Sequence, residues 1–198
     1  MVELIRAATV PEARFRLRPS TLQELNRFAI LGMRPAEGSF RTGPITISGS
    51  VHQPPPWTDV PRYVDDLCDY VNENWAAKSP IHLSAYVMWR LNWIHPFPDG
   101  NGRTSRAGSY LVMCAKLGYL VPGHTTIPQR IAAQKRPYWH ALEAADQADA
   151  NGNIDVSAME HILEEFLEAQ LREVHGSAIG KPVGTPVPPG PAWGGGDD

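Results

Sequence analysis

Little in this sequence is scarce enough to mark a specialised class, and what is scarce removes whole classes of protein. Cysteine is rare: Cys68 and Cys114 are the two, set in helix-like apolar patterns without metal-ligand spacing. They read as buried free thiols of a reducing compartment, which excludes a disulfide scaffold and a cysteine-rich metal site. No apolar run approaches the roughly 18 residues that a membrane helix needs. The opening stretch MVELIRAATVPEARFRLRP lacks a sustained apolar core and a small-residue cleavage site, so no signal peptide is expected. Net charge is also small, at -3, with 20% charged and 42% apolar residues. That balance gives no global attraction to nucleic acid or to an anionic membrane, so any anion site must be local. The expectation is a cytoplasmic protein with one core, partnered by neither nucleic acid nor membrane.

Helical periodicity dominates what is present. STLQELNRFAILGM offers a cap at Ser20 or Thr21 and apolar Leu22, Leu25, Phe28 and Ile30 or Leu31. DVPRYVDDLCDYVNENW has Asp59 as cap, Pro61 in the first turn, and Val60, Val64, Leu67, Cys68 and Val71 on one face. SPIHLSAYVMWRLNWI begins with Ser79 as cap and Pro80 behind it, and is apolar nearly all round, as a central buried helix is. GRTSRAGSYLVMCAKLGYL predicts a further helix stopped at Gly118, and two more follow in IPQRIAAQKRPYWHALEAADQ and IDVSAMEHILEEFLEAQLREV. Between the first two, EGSFRTGPITISGSVHQPPP alternates Ile45 and Ile47 with small polar residues between glycines. It reads as a short β-hairpin or extended flap. From Gly176 to Asp198, seven glycines and five prolines leave too little apolar surface to offset the entropy of ordering, so a disordered tail is expected. The organisation predicted is an all-α class: a lead over 1–19, a helical domain with one β flap over 20–175, and the tail over 176–198.

The chemistry concentrates in IHPFPDGNGRTSRAG, residues 94–108. Pro96 and Pro98 end one buried helix, and Gly100 and Gly102 expose backbone N–H groups where the next one starts. Unpaired amides and the positive end of a helix dipole make an anion pocket. Arg103 and Arg106, three apart on the first turn, add cations that can bind phosphate bidentately. Asp99 in the same place would oppose an anion unless a cation lies between them, and Mg²⁺ held by one carboxylate and by substrate phosphates meets that requirement. His95 at the rim is the residue type whose unperturbed pKa suits proton abstraction near neutrality. Each feature alone is commoner as a plain turn or a solvated helix start. Together, in fixed order, they specify phosphoryl or nucleotidyl transfer. A His95/Asp99 metalloenzyme site lacks a third ligand of suitable spacing.

The stretch HPFPDGNGRTSR resembles the signature of the Fic (Fido) family, H-x-F-x-[D/E]-G-N-G-R-x-x-R. His95, Phe97, Asp99, Gly100, Asn101, Gly102, Arg103 and Arg106 match every fixed position. The likeness extends back through FRTGPITISG and forward through RPYWHAL. It implies a compact helical fold and transfer of AMP from ATP, with Mg²⁺, to a Ser, Thr or Tyr hydroxyl of a target protein. By motif position His95 would be the general base and Asp99 the metal ligand. Gly100, Asn101 and Gly102 would form the anion hole, Arg103 and Arg106 would contact the β- and γ-phosphates, and Phe97 would anchor the loop. Ile45, Thr46 and Ile47 would align a target segment by strand-like pairing. UMP, GMP or phosphocholine transfer, removal of AMP, and a non-catalytic scaffold are the alternatives. The intact GNGR argues against the Doc-type kinase branch.

Two departures from the family pattern remain. The inhibitory [S/T]-x-x-x-E-[G/N] helix has its nearest match at Met33 to Glu37–Gly38, with methionine in the hydroxyl position and Pro35 inside the segment. Glu37 is therefore a weak candidate for self-inhibition, which leaves room for a separate inhibitor protein. A family tyrosine and asparagine near the nucleobase appear here as Trp139 and Asp146. They are seven positions apart, almost two helical turns, and so share a face. An ionised carboxylate at Asp146 would suit adenine's amine and would suit guanine's N1–H and N2–H₂ pair better.

Overall fold

The computed structural model describes residues 2–10, 14–32 and 38–178. Among them are eight α-helices: α1 (Val2–Ala8), α2 (Pro19–Ala29), α3 (Val60–Glu73), α4 (Pro80–Ile94), α5 (Asn101–Leu117), α6 (Ile127–Ala133), α7 (Lys135–Ala150) and α8 (Ser157–Ala178). The candidate inhibitory residue Glu37 and the glycine- and proline-rich stretch from 179 onward lie outside the described residues.

The antiparallel pair α4 and α5 forms the centre. Ser79 caps α4 by accepting from the His82 amide at 2.9 Å, and Pro80 follows in the first turn, where its missing N–H costs nothing. All residues of α4 from Leu83 to Trp89 are buried, with Leu91 and Ile94. Helix α5 is buried at nearly every position from Asn101 to Cys114 and ends at Gly118 in a left-handed conformation. A Cβ on Gly108 would meet Leu22, Val87 and Leu91 at 3.5 Å, so a small residue stands where α2, α4 and α5 converge. Around this pair, α3 buries Val60, Val64, Leu67, Cys68 and Val71, the face its periodicity predicts. Tyr70 on α3, His82 on α4 and Glu160 on α8 form a hydrogen-bonded chain, with contacts of 2.9 and 2.6 Å, that ties three helices together at the end of α4 remote from His95. Gln170 of α8 is fully buried. Its amide donates to the Tyr110 hydroxyl and the Val121 and Pro122 carbonyls, and its oxygen accepts from the Ile127 amide. The lead sequence joins the same core through Ile5 of α1.

Two expectations change. No strand occurs among the described residues. The segment over 38–56 is extended, with bends at Thr42 and Gly43 and a turn in which the Ser50 amide donates to the Ile47 carbonyl at 3.3 Å. Its two legs do not pair as a hairpin; much of its hydrogen bonding is directed instead at the end of α4. On α2, Phe28 and Leu31 are exposed, and the buried set is Leu22, Leu25, Asn26 and Ile30. An asparagine therefore occupies the inward position one turn after Leu22.

Candidate functional site

The loop between α4 and α5 is built from conformations the sequence makes accessible. His95 terminates α4 in the left-handed region, φ 50° and ψ 57°, and is the one non-glycine residue with positive φ among those described. Such a conformation is sterically costly for a side chain and persists where neighbours over-determine it. Gly100 precedes α5 with φ 76°, and a Cβ there would stand 2.4 Å from Ile30 Cγ2, so only glycine fits. Asn101 clamps the loop from inside: its Oδ1 accepts from the Phe97 amide at 2.9 Å and its Nδ2 donates to the Phe97 carbonyl at 2.8 Å. Phe97 is fully buried, the packing anchor expected. From α2, Asn26 donates to the Asp99 carbonyl at 2.9 Å and to Thr104 Oγ1 at 3.1 Å, while its oxygen accepts from the Gly38 amide.

Asp99 Oδ1 accepts from the Gly100 amide at 2.5 Å and from Arg103 Nη2 at 3.1 Å. The carboxylate is thereby fixed at the positive end of α5, one helical turn from its arginine partner. Arg103 and Arg106 are both buried. His95 Nδ1 lies 3.3 Å from the Asn92 carbonyl. A carbonyl only accepts, so in the neutral ring Nδ1 carries the proton and Nε2 holds the lone pair.

A cavity of about 580 Å³ opens in front of this loop. His95, Gly102 and Arg106 border it on the loop side. Ile47 to Ser50 and His52 border it on the flap side, and Lys135, Tyr138, Trp139, Leu142, Glu143 and Asp146 form a wall on α7. Of the residues singled out in the sequence, His95, Gly102, Arg106, Trp139, Asp146 and Ile47 therefore meet around one space. Asp99, Gly100, Asn101, Arg103, Ile45 and Thr46 do not border it. The first four form the turn that shapes the loop.

The α7 wall is anchored in a way the sequence does not reveal. Asp146 Oδ1 accepts from the Trp89 indole N–H at 2.8 Å, and Oδ2 lies 3.6 Å from His52 Nδ1. Burial raises the Asp146 pKa from the ordinary aspartate value, opposed by the indole hydrogen bond and the nearby His52. Asn92 Nδ2 reaches both Ser105 Oγ at 2.8 Å and the Tyr138 hydroxyl at 2.7 Å, linking α4, α5 and α7 in the cavity lining. Trp139 is half exposed at the rim. Asn26, Arg41, His52, Trp89 and Asn92 are the functional neighbours that motif reading misses. The one local signal was a polar residue at an inward helical position, as at Asn26.

The domain joins its two central helices by a glycine-turned loop and brings a histidine and an arginine to one cavity, an arrangement that can hold an anion beside a base. Residues 16–113 match the family model described as Fic/DOC family, and over that span the chain belongs to this family. It is 32% identical over 128 residues, 64% of this chain, to a protein named protein adenylyltransferase Fic from Drosophila willistoni. It is 30% identical over 150 residues, 75% of this chain, to the protein of the same name from Drosophila virilis. The chain spans 24% and 29% of the lengths of those two relatives. Among solved structures, a Fic-domain-containing signalling protein from Bacteroides thetaiotaomicron superposes with a TM-score of 0.68 at 22% identity. That superposition covers 92% of this chain and 71% of the other, and it supports the fold. No helix among the described residues is long and apolar enough to cross a membrane.

Proposed function

We propose that the chain transfers AMP from ATP to a Ser, Thr or Tyr hydroxyl of a protein, with His95 as general base. The observation that carries this reading is the meeting of His95, Gly102 and Arg106 at one cavity, where the N-terminus of α5 ends. The family match and the names of the relatives support the class of reaction. His95 Nε2 takes the proton of the target hydroxyl. The hydroxyl oxygen bonds to the α-phosphorus, the bond from that phosphorus to the β-phosphate's bridging oxygen breaks, and pyrophosphate leaves. The α5 amides and Arg106 face the charge that gathers on the phosphates, and pre-set donors of this kind stabilise a transition state without reorganising.

Asp99 is the residue that would hold magnesium. The Gly100 amide and Arg103 fix its carboxylate in the turn before α5, outside the cavity lining itself, and magnesium is commonly held by one or two carboxylates with phosphate oxygens and water. The residues fit the ion, which when bound would supply neutralisation of phosphate charge. Trp139 would stack the nucleobase, and the extended segment at Ile45–Ile47 would receive the target chain.

Incubation with cell lysate and each labelled nucleoside triphosphate, with the modified residue located by mass spectrometry, tests the reading. AMP on a hydroxyl side chain, lost in His95→Ala by about 10²–10⁴-fold while ATP binding survives, is the expected result. UMP, GMP or phosphocholine transfer, or release of AMP from modified protein, would replace it, and wild-type rates in His95→Ala would remove the base assignment.

A further inference from the structure

Four consecutive carbonyls at the end of α4 and the start of the loop are satisfied from the flap segment. His52 Nε2 is 2.8 Å from the Trp93 carbonyl. Arg41 supplies the other three: Nη2 to Ile94 at 3.4 Å, Nε to His95 at 2.9 Å, and its backbone amide to Pro96 at 2.8 Å. The same guanidinium donates to Gly43 at 3.1 Å and Pro55 at 2.5 Å, one on each leg of the flap. Arg41 is buried, and its hydrogen bonds all go to backbone carbonyls.

A buried cation without a carboxylate needs another source of negative potential. Here it is the C-terminus of α4, where the last carbonyls lack intrahelical partners and carry the negative end of the dipole. Only a planar fork of five donors reaches carbonyls on both flap legs and on the helix end at once; a lysine ammonium is a point donor on a flexible stem.

We infer that Arg41 is a positioning residue, which holds His95 in its left-handed conformation and locks the flap to the base through one side chain. The inference rests on the reading of His95 as the base and of the flap as the target's docking edge. A target segment lying along the flap is then held by the same guanidinium that sets the His95 carbonyl. Substrate position and base position become one rigid unit. The φ of 50° at His95 is what such a unit must maintain, since a non-glycine residue leaves that region when released.

The test uses the full chain as wild type, Arg41→Lys and Arg41→Ala. In the wild type, amide hydrogen exchange should show the Arg41, His95 and Phe97 amides opening together as one unit. This needs no variant and no activity. In Arg41→Lys, which keeps the charge, exchange at His95 and Phe97 should speed up at least about tenfold while α3 and α8 keep their protection. Transfer to whichever protein the lysate assay identifies should lose about 100-fold in kcat, the scale of a 1 Å misplacement, with KM for ATP within about twofold. Arg41 amide exchange at loop rates beside protected His95 and Phe97 amides would overturn the inference. So would a lysine variant with wild-type kcat, since any cation would then serve. If the wild type transfers no nucleotide, the exchange result still decides the role of Arg41, and the failure falls on the proposed activity alone. If Arg41→Ala does not fold, the lysine variant and the wild-type exchange carry the test.

Discussion

The Trp89 indole N–H donates to Asp146 at 2.8 Å, and this bond fixes the inner end of the α7 wall to the central helix α4. An aspartate that shared a helix face with Trp139 was expected to read the edge of a nucleobase. It borders the cavity, yet one of its oxygens is taken by Trp89. The wall at the site and the bolt that holds it are the same residue.

Asp146→Asn keeps an oxygen for Trp89 and removes a buried charge. Burial raises this carboxyl's folded pKa, so the folded state binds more protons than the unfolded chain between the two values. Its ionisation therefore opposes folding, and its contribution to stability should improve as pH falls through the raised pKa. Asp146→Asn should be near neutral in stability at pH 7 and should flatten that part of the profile. Asp146→Leu, which strands a buried N–H, should cost about 1–3 kcal/mol. Denaturant midpoints across pH check both. Competition of labelled ATP by unlabelled GTP in Asp146→Asn shows whether the carboxylate also selects the base.

Gly100→Ala should lower stability by about 2–4 kcal/mol, from positive φ and from overpacking against Ile30. The loss should appear in the denaturant midpoint, and ATP affinity should fall with it, because the start of α5 must move.

Asn101→Ala should strand both Phe97 backbone groups at a cost of about 1–3 kcal/mol. Asn101→Asp keeps the acceptor for the Phe97 amide and loses the donor. It should therefore fall between Ala and wild type in both stability and ATP binding, as read by thermal unfolding and calorimetry.

Asp99→Ala should weaken ATP binding measured with magnesium and leave binding in excess chelator within about threefold, since one carboxylate makes a weak metal site unless phosphate completes it. Calorimetry with and without magnesium checks this. Equal loss in both conditions would mean that Asp99 acts only through Arg103.

Cys68 is buried with its thiol pKa pushed up to about 12, and burial raises Cys114 as well. Neither thiolate is available near neutrality. A chromogenic disulfide reagent at pH 8 should react with both thiols only after unfolding, which counts the two cysteines and times the opening of the core.

The helices were legible because burial follows period and caps. The face of α3 is the predicted one residue for residue, and Ser79 and Gly118 mark real ends. The loop over 95–106 was legible because its chemistry is local. The flap was legible only in part: the extended reading holds and the hairpin does not. Alternation at Ile45 and Ile47 looks like a strand, but a strand needs a partner in register, and the carbonyls of α4 and its loop that Arg41 and His52 reach lie more than forty positions away. Arg41 itself stood in plain sight within FRTG. Nothing in local spacing says that an arginine will cap a helix distant in the chain.

The cavity is assembled from two separate stretches of the chain. Its loop side lies within residues 16–113, the span matched by the family model, whereas the wall from Lys135 to Asp146 lies beyond that span. Substitutions at Trp139, Leu142 or Glu143 can reshape this space without touching the loop over 95–106. Asp146 and Tyr138 are the exceptions, since they are bonded to Trp89 and Asn92 inside that span. The domain is thus a socket with a separately held jaw, and the Trp89–Asp146 and Asn92–Tyr138 bonds are where the jaw is hinged to the socket.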